Sequence, residues 1–168
     1  MESRAKLLGH PIHQMLIVFP LGLLATAVIF DLIFLIGGNP LMAEVAYWLI
    51  SAGIIGGLIA APFGTIDWLA IPRGTRAKRI GLMHGAGNVI VLLLFIGSWS
   101  LRRETALDPA WTAHLLSFLG AGLALVTAWL GGELVDRLGV GVSDAANLDA
   151  PSSLHDVAAQ RSGITPPR

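Results

Sequence analysis

The chain has 168 residues, 54% of them hydrophobic and only 13% charged, with a mean hydropathy of +0.71. A soluble domain needs about a quarter of its residues charged to cover its surface, so this composition excludes one. Eleven Lys and Arg balance eleven Asp and Glu, giving no basic excess for nucleic acid; the lack of cysteine excludes disulfides, Cys-ligated metal centres and thioether-attached haem.

The apolar residues fall into four blocks, at about 14–36, 45–69, 80–100 and 111–134. Each is long enough for a helix to cross roughly 30 Å of hydrocarbon. Inside a bilayer the backbone must satisfy itself, and the period-2 alternation of a barrel is absent, so each block reads as a helix. The first block has a basic start at Arg4 and Lys6 and a small-x-small site at Ala25-Thr26-Ala27, but its apolar run continues through Ile36. That is longer than a signal-peptide core, and it reads as a span. The fold class is therefore all-α: a polytopic transmembrane four-helix bundle over residues 1–142. A polar, flexible tail follows over 143–168, where Ser153 and Asp156 fit a cap for a short helix before Val157–Arg161.

Charge placement gives the orientation. Arg73, Arg76, Lys78 and Arg79 crowd the second connection, Arg4 and Lys6 precede the first span, and Arg137 follows the fourth. The other two connections carry little positive excess. The positive-inside rule places both termini in the cytoplasm of a bacterial inner membrane, with Tyr47, Trp48, Trp99 and Trp111 at the outer interface.

Small residues recur at every fourth position: Ala52, Gly56, Ala60 and Gly64 in span two, and Gly120, Ala124, Ala128 and Gly132 in span four. Such stripes let helix backbones approach closely, within the chain or in a homo-oligomer. Pro20 and Pro62 each remove a helical N–H and are expected to kink their spans at matching depth. No inverted repeat is evident, and the His10-Pro11-Ile12-His13 run has no obvious counterpart in span three.

Polar groups gather near the inner face: His10 and His13 before span one, Asp67 ending span two, His84 and Asn88 opening span three, Glu133 ending span four. Ionisable groups at membrane depth are costly and are functional candidates by default. His13 and His84, with His10 as a third candidate, have the chemistry of metal or haem ligands. Asp67, Asn88 and Glu133 would support them. A polar packing network and proton or small-solute handling fit the same residues. His114 starts span four at the opposite face, beside Trp111, and reads as an interfacial residue; Asp31 reads as structural, a partner for Arg102 or Arg103. No phosphate loop, Ser/His/Asp set or HExxH motif supports catalysis on a soluble substrate.

Gly9-His10-Pro11-Ile12-His13, Met15 and Phe19-Pro20-Leu21-Gly22-Leu23 together resemble the opening of a bacterial membrane family, domain of unknown function 2231. So do Asp31, Gly64 with Asp67, Gly81 with His84 and Asn88, Gly131-Gly132-Glu133-Leu134-Val135 and Gly139-Val140-Gly141-Val142. Where the family often has a proline after the second histidine, this chain has Gln14. The resemblance implies a four-span protein without an established activity. Relatives fused to Rieske or cytochrome-type modules point by analogy to haem b or a transition metal, in redox or metal handling. The alternatives are a non-enzymatic accessory subunit of a larger membrane complex and a small transporter or proton path.

Overall fold

The computed structural model describes residues 1–154, so the expected helix over 157–161 lies outside the described residues. Four long helical spans, Ile12–Gly37, Pro40–Ala70, Arg76–Arg102 and Trp111–Arg137, are apolar and long enough to cross a membrane. They run alternately up and down. Both the N-terminal segment and the loop at 71–75 lie at one end, called here the near end; the connections at 38–39 and 103–110 form the far end.

Local chemistry sets the boundaries. Span one consists of α1 (Ile12–Leu16) and α2 (Val18–Gly37), interrupted at Ile17. Pro20 lacks an N–H for the Leu16 carbonyl, which breaks the ladder one turn before the proline. Its ring rests against Gly56, where an added Cβ would sit 3.2 Å from Pro20 Cδ. α2 stops at Gly38, whose φ of 68° is the left-handed C-terminal conformation glycine favours. Asn39 then caps α3 (Pro40–Ala70), accepting from Leu41 N at 3.1 Å, with Pro40 at the first helical position. This two-residue turn forces spans one and two into a tight antiparallel hairpin.

α3 runs through Pro62 without interruption. Pro62 lies inside this helix without ending it, whereas the break in span one falls at Ile17, three residues before Pro20. Thr75 caps α4 (Arg76–Arg102) by accepting from Lys78 N. α5 (Trp111–Gly132) ends in a π-helical turn at Glu133–Arg137, where Leu138 N reaches back to Glu133 O at 3.1 Å. Short strands β1 (Lys6–Leu7) and β2 (His10–Pro11) precede the bundle, a small departure from a purely helical chain. Leu8 and Gly9, both at positive φ, form the turn between them.

Asp67 anchors this N-terminal hairpin. Its carboxylate accepts from Ser3 Oγ at 2.8 Å, Arg4 N at 2.7 Å and Ala5 N at 3.3 Å. Glu2 takes hydrogen bonds from Lys6 and Ser143, which hold its carboxyl below the ordinary range.

The two helical hairpins repeat one another. His13, Leu24, Ala27 and Asp31 of span one each precede their counterparts His84, Phe95, Ser98 and Arg102 of span three by 71 residues. Ala46, Ile50, Gly53, Ala60 and Gly64 of span two precede Ala113, Ser117, Gly120, Thr127 and Gly131 of span four by 67. The correspondence is physical. A Cβ on Gly53 would lie 2.5 Å from Leu24 Cδ2, and one on Gly120 would lie 2.9 Å from Phe95 Cε2. The repeat keeps one orientation, so it is parallel and not inverted, and the counterpart of His13 in span three is His84. The core around Leu24, Ala27, Ala46, Ile50, Ile54, Val91 and Phe95 fills the space between the two copies.

Candidate functional site: paired histidines and a buried ion pair on the bundle axis

Two pairs of equivalent residues meet between the hairpins, one toward each end. Side chains related by a two-fold rotation can touch only by straddling its axis, so both pairs mark that axis.

At the near end the pair is His13 and His84. His13 Nδ1 lies 3.0 Å from the Ala60 carbonyl, and the ring fits because Gly64 has no side chain: a Cβ there would be 2.8 Å from Cε1. His84 repeats the arrangement. Its Nδ1 lies 2.8 Å from the Thr127 carbonyl, and a Cβ on Gly131 would be 3.2 Å from its Cε1. A carbonyl only accepts, so each Nδ1 carries a proton, and in the neutral ring the lone pair is on Nε2. The two rings face each other edge to face, centroids 6.4 Å apart and planes at 89°. Backbone-held Nδ1–H groups of this kind orient imidazoles that ligate through Nε2.

Asn88 lies one turn beyond His84. Its Nδ2 donates to the His84 carbonyl at 2.8 Å and sits 3.3 Å from Nε2, while its Oδ1 accepts from Thr127 Oγ1 at 3.1 Å. The other expected supporting groups turn elsewhere. Asp67 binds the N-terminal segment. Glu133 pairs with Arg76 at 2.7 Å. His10 belongs to the exposed hairpin, 3.2 Å from Ser153 Oγ, and not to the helix that carries His13. Among the described residues no three His, Asp or Glu side chains stand close enough to hold one metal ion.

At the far end the pair is Asp31 and Arg102, both at 0% exposure. Arg102 Nη1 and Nη2 donate to Asp31 Oδ1 and Oδ2 at 2.6 and 2.7 Å. Ser117 Oγ adds a bond to Oδ2 at 2.9 Å, and Arg102 Nε donates to Ser98 Oγ at 3.1 Å. His114 joins them at 1% exposure. It keeps the end-of-span depth expected from its place beside Trp111, but its ring is buried within the bundle: Phe34, at 5.6 Å between ring centroids, and Phe118 stack on it. The residue type and sequence position gave no sign of this burial, because Asp31 and Phe34 of span one and Arg102 of span three complete the pocket.

A family model described as predicted membrane protein (DUF2231) matches residues 9–144. The chain belongs to this family. It is an integral membrane protein, and the DUF2231 match opens at Gly9 in the N-terminal turn and takes in both hairpin copies, both axial pairs and the π-helical turn. No curated protein and no solved structure matches the chain.

Proposed function

We propose that this DUF2231 protein binds one redox-active group between His13 and His84, haem b or a two-coordinate transition metal such as copper(I). One observation carries this reading: two equivalent imidazoles, each held by Nδ1 on a backbone carbonyl, face each other across the axis with centroids 6.4 Å apart. The centroid spacing is close to that of two imidazoles sharing one ion through nitrogen bonds of about 2 Å, and ligation requires each ring to turn its Nε2 edge toward that ion. The donor set fits haem b, which takes two axial ligands, and does not fit a metal that needs three or four protein ligands. When bound, the group supplies one-electron chemistry. The chain's own part is to fix both tautomers, to orient both rings and, through the glycines at 64 and 131, to let them approach helix backbone. His10, Asp67 and Glu133 support the site only at a distance, through the near-end contacts they make.

In this reading residues 1–142 form the membrane domain and 143–168 a polar tail. The near end, with Arg73, Arg76, Lys78 and Arg79, faces the cytoplasm of a bacterial inner membrane. Spectroscopy with metal analysis of protein purified from iron- and copper-replete cells tests the assignment. The expected result is a haem Soret band or near-stoichiometric copper, lost in His13→Ala and in His84→Ala but kept in His10→Ala. A colourless, metal-free preparation overturns it.

Asn88 favours a second reading. Its bonds to Thr127 and to the His84 carbonyl make spans three and four one polar unit. If the cluster serves packing alone, His84→Ala lowers stability and removes no bound group.

A further inference from the structure

The far-end cluster contains an anomaly that the ion pair does not explain. His114 is 1% exposed, yet neither ring nitrogen has a hydrogen-bond partner among the described residues. A buried polar group without a partner is destabilising, and such groups in native proteins call for a ligand, a water or a functional role. Its Nδ1 stops 3.4 Å from Asp31 Oδ1.

The surroundings identify the missing component. Every polar atom of the neighbouring pair is engaged: Arg102 spends its guanidinium on Asp31, Ser98 and Ser117, and Asp31 Oδ2 takes both Arg102 and Ser117. Only Oδ1, with Arg102 as its one hydrogen-bond donor, retains room for a second, and it is the atom nearest the imidazole. A neutral carboxylate–guanidinium pair offers little to an external ion, but its least engaged acceptor, Oδ1, lies beside the imidazole and can receive an N–H from it.

We propose that His114 is a proton-binding site within the far half of the membrane, and that Asp31 Oδ1 is the acceptor that holds its protonated form. Binding is a simple addition: one proton from water joins a ring lone pair, no bond breaks, and the cluster passes from net zero to net positive. The Nδ1–H of the imidazolium then donates to Oδ1, which holds it alongside Arg102 Nη1.

The groups that face the ring are few. Span one contributes Asp31 and the Phe34 ring, span three contributes Arg102, and span four contributes the aromatic rings of Trp111 and Phe118. The ionisable groups at this end of span two are Glu44 and Tyr47, and Tyr47 stacks on Trp99 at 6.0 Å instead. His114 lies in the first turn of α5, beneath the exposed Trp111, so the proton reaches it from the far side.

The test is nitrogen NMR of histidine-labelled full-length chain in lipid nanodiscs, with His114→Gln for assignment. The expected result is reversible titration of the His114 ring at a pH where the bundle stays folded, with proton affinity at least tenfold lower in Asp31→Asn. A ring that stays neutral from pH 8 to pH 4 overturns the proposal, as does an unchanged titration in Asp31→Asn. Should Asp31→Asn fail to fold, the wild-type Asp31 carboxyl carbon decides: a shift at the His114 midpoint supports the proposal, and a stationary signal overturns it.

Discussion

Arg102 grips Asp31 with both terminal nitrogens, at 2.6 and 2.7 Å, and the two residues occupy the same position in successive copies of one hairpin. No water reaches either side chain, so the two charges depend on each other. Removing one partner leaves the other uncompensated: Asp31→Asn or Arg102→Met alone should cost about 3–5 kcal/mol, whereas replacing both with apolar residues should cost much less. Because the positions are equivalent, the exchanged pair Asp31→Arg with Arg102→Asp should recover most of the loss. Thermal unfolding in mild detergent, run on the singles and both doubles, checks this.

The glycines at equivalent positions 53 and 120 admit a neighbour's side chain where a methyl group has no room. Gly53→Ala places a Cβ 2.5 Å from Leu24 Cδ2, and Gly120→Ala places one 2.9 Å from Phe95 Cε2. Each should destabilise by about 1–3 kcal/mol. Trimming the opposing chain, as in Gly53→Ala with Leu24→Ala, should return part of that in the same unfolding assay, because the overlap is specific to that pair.

Asp67 ties the N-terminal segment to the end of span two through one hydroxyl and two backbone N–H groups. Asp67→Ala should cost about 1–3 kcal/mol and, more diagnostically, should raise amide exchange across residues 3–11 while exchange in the spans stays slow. Exchange mass spectrometry reads both regions at once. Equal acceleration in the spans would contradict the anchoring role.

The chain's lack of cysteine allows single-site labelling without background. Cysteines placed at Arg73 and Ser152 should react with an impermeant maleimide from one side of sealed vesicles. Those at Asn39 and Asp108 should react only from the other. Mixed accessibility would break the up-down-up-down order.

The four spans were legible in the sequence because hydrocarbon demands long apolar stretches whatever their packing partners. The helix ends capped by Asn39 and Thr75 are set by local polar contacts that hydropathy does not read. The repeat was hidden by divergence at the residues that define it. Leu24 answers to Phe95, Ala60 to Thr127 and Asp31 to Arg102, so the two copies share geometry more than residue types. Of the equivalent positions named above, His13 with His84, Ala46 with Ala113, Gly53 with Gly120 and Gly64 with Gly131 keep their identity. The near-end histidines could be named from their depth, but not the carbonyls that hold them, since Ala60 and Thr127 act through backbone. The burial of His114 was illegible for a related reason: Trp111 marks its depth, while Asp31 and Phe34 of span one, far away in sequence, complete its surroundings.

A dimer of two identical hairpins would set like against like at its centre of rotation, carboxylate facing carboxylate or guanidinium facing guanidinium. Joining the copies in one chain removes that prohibition. Opposite charges can then occupy mirrored places, and each half becomes unable to do without the other.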